Sequence, residues 1–152
     1  MNYLLLSIVR DEAEHLPRVI KAIRKQTQLP ELWLVVDDRS QDGTDEILAN
    51  VNEKWLVTKR CPDRLPKSLM HYSQLLAEYA NHAAKIAAQR KSSWDALAVL
   101  DGDSLPEPEY FAKLMDSFKV DEELGITSGD QMEPDSLKPK SSQRDIPWGA
   151  AT

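Results

Sequence analysis

The sequence predicts an α/β fold in which a mostly parallel sheet is flanked by helices. Short apolar runs alternate with segments whose apolar residues recur at helical spacing, the pattern of parallel strands joined by crossover helices. Two of the apolar runs end abruptly in acids: residues 32–36 precede Asp37 and Asp38, and residues 96–100 precede Asp101-Gly102-Asp103. Because ligands of open α/β sheets bind outside the carboxyl ends of the strands, these acids are candidate site residues.

The strands are predicted from apolar runs bounded by polar residues. The run 3–9 forms a first buried strand, and it is too short for a membrane span and lacks the basic leader of a signal peptide. The run 96–100 has no polar interruption and is therefore predicted to be a strand that is buried on both faces. The remaining predicted strands are 32–36, 55–58 and 124–129.

The helices are predicted from apolar spacing and end signals. Leu16, Val19, Ile20 and Ile23 share one face of a first helix, which has Pro17 in its first turn and ends before residues 29–30. Asp42 or Thr44 caps a short second helix that carries Ile47, Leu48 and Val51. A third helix over about 67–90 has an apolar stripe of Leu69, Tyr72, Leu76, Ala80, Ala83 and Ala87, and a fourth covers 106–118 with Tyr110, Phe111, Leu114 and Phe118 inward.

The composition and net charge of the chain restrict the classes of ligand that it could bind. The chain has 152 residues, of which 41% are hydrophobic and 29% charged, as expected for one globular domain. Residues 130–152 are polar and rich in proline, which predicts a mobile loop or tail of that domain. A net charge of −6 argues against nucleic acid or an anionic membrane as the main partner, so an anionic ligand would need a metal ion. A single cysteine, Cys61, excludes an internal disulfide and a cysteine-based zinc site.

The sequence Asp101-Gly102-Asp103 has two interpretations. The acids supply hard oxygen ligands for Mg²⁺ or Mn²⁺, and Gly102 lets the backbone approach a bulky group. Alternatively, the three residues form an ordinary turn in which Asp103 caps the next helix. His71 and His82 lie eleven positions apart without acids at ligand spacing, and we predict that they are surface or satisfied core histidines. Neither a dinucleotide-binding GxGxxG nor a P-loop can be written with the glycines present.

The order and spacing of several short motifs resemble the nucleotide-binding half of family 2 glycosyltransferases, and the resemblance covers nearly all of the chain. It implies a Rossmann-like GT-A fold and an inverting enzyme that takes a sugar from a nucleotide-diphosphate donor, most often a UDP-sugar. The motifs are residues 7–12, Gln26-Thr27, residues 35–44, Ala80-Asn81, residues 100–104 with Pro108 and Tyr110, and residues 124–129.

The resemblance also implies roles for individual residues. Asp38 accepts the imino hydrogen of a uracil-like base, which is flanked by Arg10 and the backbone around Ile8. Asp103 binds the metal ion, Mn²⁺ or Mg²⁺, directly, and Asp101 holds the ribose or the water shell of the metal. The metal ion neutralises the charge that develops on the nucleoside diphosphate leaving group.

The resemblance leaves the catalytic residue and the acceptor unassigned. The catalytic base of such enzymes is expected beyond Thr152, so we expect this chain to bind nucleotide and metal yet to transfer sugar poorly or not at all. The expected location is the cytoplasm, with membrane association if the chain is part of a longer protein. The acceptor is not predicted.

Two alternatives remain from the sequence. Residues 100–105 approximate the nucleophile motif of haloacid dehalogenase-like phosphatases, in which Asp101 would be phosphorylated and Asp103 would act as acid and base. A module that binds nucleotide without catalysis is the other alternative, because a fold does not fix a function.

Overall fold

The computed structural model describes residues 1–62 and 68–129. These residues form a four-stranded parallel sheet with the strand order β3-β2-β1-β4. Strands and helices alternate along the chain, as the sequence predicts. The elements are β1 (Tyr3–Val9), α1 (Leu16–Arg24), β2 (Leu32–Asp37), α2 (Thr44–Ala49), β3 (Leu56–Arg60), α3 (Leu69–Gln89), β4 (Ala96–Val99) and α4 (Tyr110–Val120).

Helices cover both faces of the central strands, so every residue of β1 and β2 is buried. Successive side chains of a strand point to opposite faces, and the core is therefore divided in two. On one face, Leu5 and Trp33 pack with residues of α1, α2 and α4. On the other face, Leu4 and Leu34 pack against α3 through Leu75, Tyr79, Ala83 and Ala87.

The structure corrects the prediction for β4, which is not buried on both faces. Ala96 and Ala98 pack against the first core cluster, whereas Leu97 is 39% and Val99 48% exposed. The reason is position: β4 lies at the edge of the described sheet, and α3, the helix on that face, packs against residues of β1 and β2 and not against Leu97 or Val99. An uninterrupted apolar run therefore did not mean burial on both faces here.

The predicted strand at 124–129 is also wrong, because these residues form no strand and Ile126 is 54% exposed. Gly125 and Gly129 offer no side chain to pack, which weakens a strand. Several helix bounds differ as well. The fourth helix begins at Tyr110 rather than at 106, and the buried stripe of α3 includes Leu75 and Tyr79, whereas Leu76 and Ala80 are only partly buried.

Two further expectations concern the rest of the chain. The predicted mobile tail at 130–152 lies outside the described residues. Among the residues that are described, no helix has both the length and the apolar character needed to cross a membrane.

The Cys61 thiol is buried 3.8 Å from the hydroxyl of Tyr79, and burial raises its pKa. The thiol is therefore held in its protonated form as part of the core.

A buried polar pair within the first core cluster gives a test of this packing. Trp33 is fully buried, and its Nε1–H donates to Ser7 Oγ at 3.1 Å. We expect Ser7→Ala to lower the free energy of unfolding by about 1 to 3 kcal/mol, because a buried donor then lacks a partner. Urea denaturation followed by tryptophan fluorescence and circular dichroism measures the change.

The control repeats the Ser7→Ala comparison in a Trp33→Phe background, in which the indole donor is absent. The loss from Ser7→Ala should be clearly smaller in that background than in the wild type. Equal losses in the two backgrounds would contradict a role for the indole hydrogen bond.

Candidate functional site

The carboxyl ends of the parallel strands place several acids at one edge of the sheet. Asp38 follows β2, Arg10 follows β1, and residues 101–103 follow β4. Because β1 lies between β2 and β4, Asp38 and Asp101 are separated by two inter-strand spacings, about 10 Å. The acids that the sequence singled out therefore share an edge without touching one another.

Asp38 is buried with only one of its carboxylate oxygens engaged. Oδ2 accepts a hydrogen bond from Arg10 Nη1 at 3.2 Å and lies 3.1 Å from His71 Nε2. A carboxylate oxygen only accepts, so the His71 nitrogen is the donor of this pair. Oδ1 is buried and has no hydrogen-bond partner among the described residues. A buried acceptor without a partner is costly, which makes Oδ1 a favourable position for a donor on a ligand.

The neighbouring Asp37 serves the fold instead. Its side chain points to the other side of the strand, where Oδ1 accepts from the backbone N–H of Ser40 at 2.9 Å. Oδ2 lies 2.9 Å from Arg60 Nη1 in an ion pair without hydrogen-bond geometry. Arg60 also contacts Asp45 and donates to the carbonyl of Ser40 at 3.0 Å. Each of the two adjacent acids thus has one oxygen without a hydrogen bond, but that of Asp37 is paired with Arg60, so Oδ1 of Asp38 is the candidate acceptor for a ligand.

The loops after β1 and β2 are joined by hydrogen bonds between side chains and backbone. Asp11 and Arg39, one in each loop, adopt left-handed backbone conformations with φ of 59° and 56°. The bonds run from Asp11 N to Ser40 Oγ at 2.9 Å, from Glu12 N to Thr44 Oγ1 at 2.9 Å, from Ala13 N to Asp42 Oδ2 at 2.8 Å, and from Gln41 N to Asp11 Oδ1 at 2.7 Å.

Asp42 accepts several hydrogen bonds in this network. Oδ1 accepts from both the backbone N–H and the hydroxyl of Thr44, at 3.1 and 2.6 Å. Partial desolvation opposes ionisation, but these bonds and the one from Ala13 lower the pKa of Asp42. The formal N-cap of α2 is Gly43, so Asp42 acts one residue before the cap, near where the sequence placed it.

The backbone of Gly102 passes close to the side chains of Val9 and Glu12. A Cβ on Gly102 would lie 2.9 Å from Val9 Cγ1 and 3.0 Å from Glu12 Cγ, so this position requires glycine. Asp101 and Asp103 are exposed on either side of it. Asp103 does not cap the next helix, because α4 begins only at Tyr110 and has Glu109 as its N-cap.

Sequence reasoning missed two residues of α3 that contact these acids. His71, predicted to be a surface or satisfied core histidine, lies against Asp38, and the Tyr72 hydroxyl donates to Asp101 Oδ1 at 3.0 Å. Burial, followed by the charge of Asp101, raises the pKa of Tyr72, which keeps the phenol a donor. The available signal was topological: α3 follows β3 and therefore starts at the carboxyl edge of the sheet.

Gln26 positions the segment that leads from Asp103 to α4. Its buried side chain donates to the carbonyl of Glu107 at 2.7 Å and accepts from the N–H of Phe111 at 3.4 Å. The backbone of Thr27 donates to Pro108 at 2.8 Å. The motif Gln26-Thr27 thus fixes the path of the chain behind the acids.

The remaining predicted site residue, Ile8, is buried in β1 with its side chain in the cluster that faces α3. Only its backbone could face a ligand at this edge. One surface concavity of the described residues lies elsewhere and contains none of Asp38, Asp101 and Asp103. It is lined by Ala13, Asp42, Gly43, Glu46, Ile47, Asn50 and Val51.

Comparisons with known proteins agree with the resemblance seen in the sequence. A family model described as glycosyl transferase family 2 matches residues 6–145. This match favours a glycosyltransferase over the phosphatase alternative. A comparison with curated proteins found no match.

Solved structures of S. aureus TarS share the fold. The TarS crystal structure has a TM-score of 0.56 and 17% identity over 79% of this chain and 20% of that chain. The structure of TarS 1–349 in complex with UDP gives 0.57 and 17% over 79% and 32%, and the complex with UDP-GlcNAc gives 0.55 and 15% over 79% and 32%. The chain thus spans a fifth to a third of these TarS chains, and the predicted α/β fold of the GT-A type is confirmed.

The joined loops give a pH-dependent prediction. We expect Asp42→Ala to lower the free energy of unfolding by about 1 kcal/mol at neutral pH, because two loop N–H groups lose their acceptor. Since the folded-state pKa of Asp42 lies below its usual 3.8, this stabilisation is present above that value and is lost as the pH falls through the lower folded-state pKa. Urea denaturation from neutral to strongly acid pH measures the difference between variant and wild type.

The matched variant is Asp42→Asn, which keeps one acceptor oxygen but cannot ionise. It should lose less stability than Asp42→Ala, and its own contribution should not titrate. A difference between wild type and Asp42→Ala that stays constant into strong acid would contradict the role given to the Asp42 carboxylate.

Proposed function

The chain belongs to glycosyl transferase family 2, and we propose that its sheet edge binds the nucleotide part of a nucleotide-diphosphate sugar together with a divalent metal ion. The donor is a UDP-sugar, and the reaction is transfer of the glycosyl group, with inversion, to an acceptor. Residues 1–152 form part of one GT-A domain in this proposal. TarS structures contain UDP and UDP-GlcNAc, which supports the choice of nucleotide.

The observation that carries the proposal is the buried oxygen Oδ1 of Asp38. It has no hydrogen-bond partner among the described residues, while Oδ2 of the same carboxylate is engaged by Arg10 and His71. The imino N–H of uracil is a donor that such an acceptor can satisfy. Arg10 lies beside Asp38 and the backbone of Ile8 lies one strand away, so both can border the base.

The spacing of the acids favours a ligand of nucleotide size. Metal–oxygen distances are about 2 to 2.6 Å, so one ion cannot join acids that lie about 10 Å apart. A base at Asp38 and a metal-bound diphosphate at Asp103 would span this separation. Each acid then contacts a different part of one ligand, with Asp101 close to the ribose or to the water shell of the metal.

The residues present fit a metal ion that arrives with its ligand. The carboxylates of Asp101 and Asp103 are exposed and offer hard oxygens, as Mg²⁺ and Mn²⁺ prefer. No cluster of three or more candidate ligands occurs in 1–62 and 68–129. Mg²⁺ commonly binds through one or two carboxylates plus substrate phosphates, so we expect weak binding of the metal alone. When bound, the ion stabilises the negative charge of the diphosphate leaving group.

Titration calorimetry of UDP on the whole chain tests the proposal. We expect Mn²⁺ to strengthen UDP binding at least about tenfold, and Asp103→Ala to remove that increase because the phosphate-bound ion loses its carboxylate. Asp38→Asn should weaken UDP binding with and without Mn²⁺. GDP, titrated in the same way, establishes whether uracil is the preferred base.

Asp116→Ala is the matched control, since it removes an exposed carboxylate of α4 that pairs with Lys119 away from this edge. It should bind UDP like the wild type. No binding of UDP by the wild-type chain would overturn the proposal, and binding indifferent to Mn²⁺ and to Asp103 would favour a non-catalytic module. Phosphatase activity that disappears in Asp101→Asn would favour the phosphatase alternative.

A further inference from the structure

Two consecutive residues at the start of α3 reach both ends of the candidate site. His71 contacts Asp38 at the end of β2, and Tyr72 donates to Asp101 after β4. Ser68 caps the helix, and its Oγ accepts from the backbone N–H of His71 at 3.1 Å. Neighbouring residues of a helix point about 100° apart, so one turn can reach acids on either side of β1.

We propose that His71 and Tyr72 are positioning residues: the first turn of α3 fixes the carboxylate that meets the base and the carboxylate that meets the metal-bound half of the ligand. This inference rests on the proposed function and adds the element that sets the geometry of its site. Neither residue needs to touch the nucleotide for this role.

His71 helps to fix the orientation of the Asp38 carboxylate. Oδ2 interacts with two donors, His71 Nε2 at 3.1 Å and Arg10 Nη1 at 3.2 Å. The two oxygens of an ionised carboxylate are equivalent, so the two donors do not select one of them. They fix the plane of the group, and rotation out of this plane breaks both contacts. The two donors therefore hold the second oxygen, Oδ1, in one position without a partner among the described residues, which fits a base with an N–H at that position. Without His71, Arg10 alone would orient Asp38.

Tyr72 restricts a carboxylate that is otherwise exposed. Asp101 is at the surface, and its Oδ1 accepts from the Tyr72 hydroxyl at 3.0 Å. The ring of Tyr72 packs at the margin of the core cluster beneath α3, which anchors the hydroxyl. One rotamer of Asp101 is thereby favoured before the ligand arrives, and less conformational entropy is lost on binding.

The experiment compares UDP with N3-methyl-UDP, both with Mn²⁺, by calorimetry on the whole chain. Methylation removes the imino hydrogen, so the wild type should bind the analogue more weakly than UDP. We expect His71→Leu to weaken UDP binding about tenfold and to leave N3-methyl-UDP binding unchanged. His71→Gln should restore UDP binding, because its amide nitrogen can donate from a similar position.

Tyr72→Phe removes only the hydroxyl and should act on the other end of the ligand. It should weaken both nucleotides by the same factor and reduce the strengthening that Mn²⁺ produces. Met70→Ala is the control for a change in the same turn, since the Met70 side chain is 70% exposed, and it should bind like the wild type. Circular dichroism and thermal denaturation verify that each variant folds.

The outcomes separate the two proposals. No UDP binding by the wild type overturns the proposed function and this inference with it. UDP binding by the wild type that His71→Leu and Tyr72→Phe leave unchanged overturns the inference alone. Equal losses for UDP and N3-methyl-UDP in a folded His71→Leu, without rescue by His71→Gln, also overturn it. If His71→Leu does not fold, the inference is tested with His71→Gln and Tyr72→Phe instead. Normal UDP binding by Tyr72→Phe would then overturn the inference that one helical turn positions both acids.

Discussion

The structure depends on the complete burial of β1 between two layers of helix. All seven residues of this strand are buried, and its neighbours on either side are parallel to it. A strand in this position can carry no acid along its length, because an unpaired buried charge is costly. Polar chemistry is thus confined to the residues that follow the strand ends, where the chain turns toward solvent. The candidate site therefore lies at the edge of the sheet, because its charged groups would be costly in the apolar interior.

The same constraint explains why adjacent acids differ in role. Asp37 is the last residue of β2 and is directed to Arg60 and the backbone of Ser40, so its charge is used within the fold. Asp38 is one residue further, on the opposite side, where Arg10 and His71 engage only one oxygen. A shift of one residue along a strand reverses the direction of the side chain. Two acids that look equivalent in the sequence therefore have different roles. Asp37 forms an ion pair within the fold, whereas Asp38 is a candidate acceptor for a ligand.

Much of the fold could be predicted from local pattern, because β1, β2 and α1 each bury a regular set of apolar residues. The errors occurred where the apolar pattern of a segment does not match its position in the sheet. The run that forms β4 is as apolar as β2, yet Leu97 and Val99 are exposed because α3 covers β1 and β2 on that face and does not pack against these two side chains. The acids of the candidate site were found because they interrupt apolar runs. His71 and Tyr72 were missed because their partners lie 33 and 29 positions away, and no local spacing encodes that contact.

The crossover topology gives α3 its place in the site. A parallel sheet requires each connection to return from the carboxyl edge to the amino edge, so every crossover helix starts near the strand ends that carry the acids. α3 packs beneath β1 and β2 through Leu75, Tyr79 and Ala83, which fixes its first turn relative to both Asp38 and Asp101. The packing of α3 on one face of the sheet therefore determines the positions of the donors to two carboxylates that lie about 10 Å apart. Because His71 and Tyr72 are consecutive, a displacement of this turn would move the donors of both acids together.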